Sequence, residues 1–256
     1  VNGEVMQMSV GSDIQERRLE VECHGRNVPS IVWTPLGRAA PVPLVLLGHG
    51  GGSHKRSAAV VAMAEALARE HAIATLAIDG PVNGEREAND AGALALRRSD
   101  RQAYRRKYYA EKYDEMVDDW RAALDVAQQL PEIDRGPVGY WGLSMGTRFG
   151  VPLIVAEPRV RAAVIGLFGY AAGAATNQRV YDDAPKITAA VLFLQQLDDE
   201  EVDQHAYHEL FTRIGTKNKR LHANPGTHAA VPRSELEASR SFLARKLKAR
   251  DDAGAR

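Results

Sequence analysis

The sequence predicts an α/β fold: a mostly parallel central sheet with helices on both faces and a short helical insertion near one edge. Two observations carry that expectation. Short, wholly apolar runs such as 43–47 recur along the chain, as strands buried on both faces require. Between them lie longer segments whose apolar residues return every three or four positions, the period of a helix. Strands that alternate with helices form a parallel sheet, so their carboxyl ends open onto one common edge. A chain of 256 residues has room for a single such domain spanning 1–256, which buries about three quarters of its unfolded surface without help from disulfides.

Segments 17–23 and 27–33 alternate apolar and polar residues around His24-Gly25-Arg26 and read as an antiparallel hairpin with one wet face. Pro35-Leu36-Gly37-Arg38 closes its second strand. Run 43–47 is the first buried strand, and it ends in Gly48-His49-Gly50-Gly51-Gly52-Ser53. That cluster fits neither phosphate-binding pattern: a dinucleotide fingerprint counted from Gly48 and Gly50 needs a glycine where Ser53 stands, and no Gly-Lys follows at P-loop distance. It reads instead as a His-Gly-Gly-Gly loop whose bare backbone can aim N–H groups at a substrate carbonyl, with a merely flexible loop as the alternative. A helix over 53–70, through Ala59, Val60, Met63, Ala64, Leu67 and Ala68, and a strand over 71–78 follow. Segment 79–86 is turn-rich and lies at the strand's carboxyl end, where such sheets place ligands.

Segment 87–109 is the least regular. Arg97, Arg98, Arg101, Arg105, Arg106 and Lys107 are interleaved there with Tyr104, Tyr108 and Tyr109, and the favoured reading is a helical insertion, 87–110, lying over the sheet edge as a partial lid. The alternative is a plain solvated helix. An amphipathic helix over 111–130, through Met116, Trp120, Ala123, Leu124 and Ala127, stops at Pro131. It delivers the chain to a strand ending near residue 143. A helix over 147–157, a strand over 161–168, a small-residue loop over 169–176 and a strand over 189–195 come next. The last of these runs into Leu197-Asp198-Asp199-Glu200-Glu201. A helix over 204–214 and a short strand over 220–223 lead to Asn224-Pro225-Gly226-Thr227-His228. The closing helix covers 235–248, and the charged tail from 249 is expected to fray.

Lys plus Arg and Asp plus Glu number 33 each, so net charge favours neither nucleic acid nor an anionic membrane as partner. The expected partner is a small molecule, with the protein a monomer or homodimer. The single cysteine, Cys23, has no internal disulfide partner and reads as a small apolar strand residue. With no apolar run of about 18 residues to act as a span, a cytoplasmic location is the expectation.

Gly142-Leu143-Ser144-Met145-Gly146 sits where an apolar strand gives way to a helix. A serine held on so sharp a turn needs small residues two positions to either side, and Gly142 and Gly146 meet that need. The hydroxyl is a weak nucleophile unless an imidazole takes its proton and a carboxylate fixes the imidazole's tautomer. Serine, acid and histidine follow in that order here, at Ser144, the 198–201 cluster and His228.

On these residues, together with His49-Gly50-Gly51-Gly52 and Pro225-Gly226-Thr227-His228, the chain from 17 to 247 resembles the α/β-hydrolase superfamily. Within it the chain is similar to dienelactone hydrolase-like and related small esterases. The resemblance implies an α/β-hydrolase fold and a serine hydrolase that cleaves a carboxylic ester or related acyl bond through an acyl-enzyme, with Ser144 as nucleophile and His228 as base. Dienelactone hydrolases proper use cysteine as nucleophile, and Ser144 in that place favours general esterase chemistry. The acid is Asp199 or Asp198. The related pattern G-x-x-D-x-x-V favours Asp199, with Val202 at the valine and Gln196 in place of the glycine. The oxyanion is assigned to the backbone N–H groups of Met145 and Gly51, while His49 shapes the glycine loop. No cofactor or metal is called for; His205 and His208 lie one turn apart on a helix with no evident third ligand. The alternatives are a peptidase of the prolyl-peptidase-like type and a non-catalytic binding protein on the same fold.

Overall fold

In a computed structural model, residues 5–10, 13–38, 41–89, 91–170 and 175–248 are described. The strands in chain order are β1 (Val5–Val10), β2 (Ile14–Leu19), β3 (Glu22–Cys23), β4 (Arg26–Asn27), β5 (Ser30–Pro35), β6 (Val42–Gly48), β7 (Ala74–Ile78), β8 (Ile133–Leu143), β9 (Val160–Gly166), β10 (Ala190–Gln196) and β11 (Lys219–Asn224). Nine of them form one sheet in the order β1-β2-β5-β7-β6-β8-β9-β10-β11. Neighbours from β7 to β11 run parallel, and β1, β2 and β5 attach antiparallel at the other side.

The helices are α1 (Ala58–His71), α2 (Ala91–Ser99), α3 (Arg101–Tyr108), α4 (Tyr113–Ala127), α5 (Met145–Ala156), α6 (Gln178–Asp183), α7 (Gln204–Arg213) and α8 (Arg233–Lys248). They cover both faces of the sheet, and the central strands show why. Leu44 and Leu46 of β6 join one apolar cluster with α4, α5, α6 and α7 residues, while Val45 and Leu47 join another with α1 and α8 residues. In β8, Val138 and Tyr140 face the first cluster and Trp141 and Leu143 the second. Alternating side chains that are all apolar give the unbroken runs seen in the sequence. Each fully buried side chain of this kind contributes about 1.5–3 kcal/mol.

The predicted hairpin is β2 paired with β5, Leu19 opposite Ser30, with the ribbon β3–β4 at its tip. Strand β1 was not anticipated. Its register shifts between Gln7 and Ser9, and a bulge of that kind breaks the two-residue period by which a strand is read. Helix α1 begins at Ala58 rather than 53, because Lys55 is drawn out of helical geometry to bond Asp79 through both its backbone N–H and Nζ. It also runs on to His71, so β7 starts at Ala74 rather than 71; Ala72 turns the chain with φ of 49°. Helix α6 lies between the small-residue loop and the strand expected over 189–195, a stretch whose sequence pattern predicts no element. Within the insertion, Asp100 ends α2 and caps α3 by accepting the Ala103 N–H at 2.8 Å. Ala93, Tyr104 and Tyr108 of the insertion pack with Val82, from the loop after β7, as a small separate cluster. Residues 171–174 of the small-residue loop and the tail from 249 lie outside the described residues.

From β6 the chain crosses to β7 on one side and later returns to β8 on the other. The crevice beyond the carboxyl ends of these strands is the topological switch point at which α/β sheets bind ligands.

Candidate active site

Ser144 stands in that crevice, between the last residue of β8 and the first of α5, with φ of 57° and ψ of −113°. A non-glycine residue in such a conformation stores strain, and the surrounding bonds account for its persistence. The Ser144 N–H donates to Gly166 O at 2.9 Å. Thr147 Oγ1 lies 2.9 Å from Gly142 O, and it accepts the Gly166 N–H at 2.7 Å. A Cβ on Gly146 would sit 2.8 Å from Gly48 O, and one on Gly142 would sit 2.6 Å from the Tyr140 hydroxyl. The fully buried Tyr140 ring thus fills the space under the turn, and its hydroxyl donates to Gly146 O at 2.6 Å.

The structure brings Ser144, His228 and Asp199 together. Ser144 Oγ is 3.0 Å from His228 Nε2, and His228 Nδ1 is 2.8 Å from Asp199 Oδ2. With Oδ2 as acceptor, Nδ1 carries the proton and Nε2 is left able to take one from the serine. The other Asp199 oxygen accepts the N–H groups of Glu201 at 2.8 Å and Val202 at 2.9 Å. Burial pushes this carboxyl up, but hydrogen bonds from Tyr207, His228 and the Glu201 amide outweigh it and hold Asp199 below the ordinary carboxylate range. Asp198 points elsewhere. Its Oδ2 accepts the Gly226 N–H at 2.9 Å and steadies the Pro-Gly turn that carries His228. Glu200 Oε2 accepts the His228 backbone N–H at 2.9 Å.

A cavity of about 760 Å³ opens over Ser144, within the range of small-molecule sites, and is lined by Gly50, Gly51, Met145, Phe168, His228 and the α3 residues Arg101, Tyr104 and Arg105, among others. Met145 is the first residue of α5, so its N–H has no acceptor within the helix and lies at the positive end of the helix dipole. Gly51 faces it across the cavity floor: a Cβ on Gly51 would lie 3.9 Å from Met145 Cβ. The glycine loop is tied down at two points. His49 Nε2 accepts the Gly80 N–H at 2.8 Å, which leaves the proton on Nδ1, 2.8 Å from Gly50 O; burial pushes this imidazole down and keeps it neutral. Buried Lys55 reaches Asp79 at 2.6 Å and Glu85 at 2.5 Å, joining the loop after β6 to the loop after β7.

Two residues here were not singled out from the sequence. Tyr207, on α7, donates a hydrogen bond to Asp199 Oδ2. Arg148 is 8% exposed, and no carboxylate among the described residues lies within ion-pair distance of it. Its guanidinium sits 4.8 Å above the Tyr109 ring and 4.9 Å above the Phe168 ring, and donates to Thr176 O at 2.9 Å and the Tyr113 hydroxyl at 3.2 Å. Both occupy the apolar faces of helices, and the signal available in sequence was a polar group placed where one needs a partner. Arg101 and Arg148 stand close enough to Arg105 that, after burial, their charges depress its guanidinium further. That wall of the cavity is therefore cationic. Among the described residues no group of three or more His, Cys, Asp or Glu is placed to hold a metal ion, and no helix is long and apolar enough to cross a membrane.

Residues 83–234 match the dienelactone hydrolase family. Among solved structures, a cold-adapted esterase from an Arctic intertidal metagenomic library is 36% identical, with 96% of this chain and 99% of that chain covered and a TM-score of 0.81. The acetyl xylan esterase from Paenibacillus sp. R4 is 17% identical over 96% of this chain and 89% of that one, with a TM-score of 0.72. A dienelactone hydrolase from Anabaena variabilis is 21% identical over 91% and 97%, with a TM-score of 0.66. The last two likenesses speak for the fold alone. No curated protein sequence matches the chain.

Proposed function

The chain belongs to the dienelactone hydrolase family, has the α/β-hydrolase fold and is a hydrolase acting on ester bonds, and from that premise we propose that it cleaves small carboxylic esters through a Ser144–His228–Asp199 triad and an acyl-enzyme. The observation that most supports this is the unbroken run of hydrogen bonds from Ser144 Oγ through both nitrogens of His228 to Asp199.

In this reading Ser144 Oγ attacks the ester carbonyl carbon as its proton passes to His228 Nε2. Asp199 holds Nδ1–H and stabilises the imidazolium. The carbonyl oxygen, now an anion, is met by the N–H groups of Met145 and Gly51, each such donor contributing on the order of 3 kcal/mol to the transition state. The carbon–oxygen bond to the alcohol breaks, and the alcohol leaves with the proton from His228. Water then repeats the sequence on the acyl-Ser144 ester, with His228 again as base, and releases the acid. Every proton moved is carried by groups of this chain.

The test is labelling with a fluorophosphonate probe beside turnover of p-nitrophenyl esters of graded acyl length. The expected result is one adduct, at Ser144, and loss of both labelling and turnover in a folded Ser144→Ala variant. Turnover that survives in Ser144→Ala would overturn the proposal.

A further inference from the structure

We propose that Tyr207 is a positioning residue of the relay: by sharing Asp199 Oδ2 with His228, it sets how strongly the carboxylate holds the protonated imidazole. The inference rests on the triad reading above. Tyr207 is fully buried, and its hydroxyl donates to the same oxygen that accepts His228 Nδ1–H. Two features fix it there. Its ring stands edge-on to Phe193, centroids 6.2 Å apart at 87°, and its helix is capped by Asp203, which accepts the His205 N–H at 2.8 Å. Burial and the adjacent Asp199 carboxylate push the phenol up, so it keeps its proton, and stays a donor, to higher pH than an ordinary phenol.

A carboxylate oxygen with two donors spreads its charge between them. The phenol therefore draws electron density away from the imidazole, and the protonated base is less favoured than an Asp–His pair alone would make it. The other charged groups near the relay do not duplicate this. Glu200 takes the backbone N–H of His228, and Asp198 takes that of Gly226. Glu201 and Asp203 line the cavity, where Arg105 senses the Glu201 charge. Among the described residues, His228 is the one basic side chain in ion-pair contact with Asp199.

The experiment is the pH dependence of kcat/KM for a p-nitrophenyl ester, whose acid limb reports the base of the free enzyme. Tyr207→Phe keeps the ring and its packing and removes the donor. Its acid limb is expected to move up by about half a unit to one unit, as a lost hydrogen bond to a charged group implies. Incorporating 2,3-difluorotyrosine at 207, a more acidic phenol and stronger donor of nearly the same shape, should move the limb down. Opposite shifts in the two proteins support the proposal. An unmoved limb in both, or a downward shift in Tyr207→Phe, overturns it, because a purely structural role would lower activity without displacing the profile. If Tyr207→Phe fails to fold, the difluorotyrosine protein decides alone. A dead Ser144→Ala beside an unmoved limb rejects this inference and leaves the triad standing; an active Ser144→Ala rejects the triad itself.

Discussion

Replacing Asp199 by Asn keeps the side chain's size but leaves one acceptor oxygen where there were two, each of which receives two donors in the native site. The new NH₂ must face donors, either the Glu201 and Val202 amides or Tyr207 and His228, and the second arrangement forces the imidazole into the wrong tautomer. Asp199→Asn is therefore expected to lower kcat by about 10³–10⁴-fold. In Asp198→Asn the remaining oxygen can still accept the Gly226 N–H, and activity should stay within about tenfold of wild type, since a single neutral hydrogen bond is worth about 1 kcal/mol. Steady-state kinetics on the two variants check the ranking, and the reverse order would reassign the acid. The sequence narrowed the acid to two neighbours because both are carboxylates on one loop. Which of them points at His228 depends on a turn of one residue, and no periodicity records that. Tyr207 was hidden for a related reason: on a helix face an aromatic residue reads as packing, and only the position of Asp199 gives its hydroxyl a purpose.

Among the elements, the buried parallel strands were the most legible, since a strand such as β6, whose residues from Leu44 to Leu47 are all fully buried, must be apolar on both of its faces. The edge strand β1 and the short helix α6 were not, one because a bulge disrupts its alternation and the other because six residues carry less than two turns of pattern. The insertion was legible as helical but not in what anchors it. Arg148 of α5 is that anchor: it lies against Tyr109, which follows α3, bonds Tyr113 at the start of α4, and reaches Thr176 on the far wall. Arg148→Met keeps the length and apolar stem while removing charge and donors. It is expected to raise KM about three- to tenfold with a smaller effect on kcat, because cation–π and hydrogen-bond losses of about 1 kcal/mol each act on the wall rather than on the relay. Kinetics across esters of increasing acyl size would show the change growing with the part of the substrate that reaches the wall. A fall in kcat alone, with KM unchanged, would contradict this placement.

Across the whole molecule, stability should fall on acidification in a way traceable to buried carboxylates. Glu157, 2% exposed at the end of α5, accepts hydrogen bonds from Arg159 Nε at 2.8 Å and Arg159 Nη2 at 2.7 Å. Burial pushes its carboxyl up, yet the bonds from Arg159 prevail and hold it below the ordinary value. A carboxyl depressed in the folded state adds stability that is complete above its unfolded value, about 4.3, and is lost as pH falls through the lower folded value. Urea unfolding from about pH 7 down to 3 should accordingly show a steeper loss below about pH 4.5 in wild type than in Glu157→Gln, which starts about 1–3 kcal/mol lower at neutral pH. Equal slopes would remove Glu157 from the account. The Tyr140 ring, wedged beneath Gly142 and Gly146 with its hydroxyl on Gly146 O, has a consequence for how this chain can change over generations. The ground on which Ser144 stands is also the middle of the folded core, so mutations there are selected for folding before they are selected for chemistry. The α2–α3 wall, held by Arg148 and by a small cluster apart from the main core, is released from that constraint. New substrates should therefore be acquired by redrawing the wall, while the ground beneath the serine stays as it is.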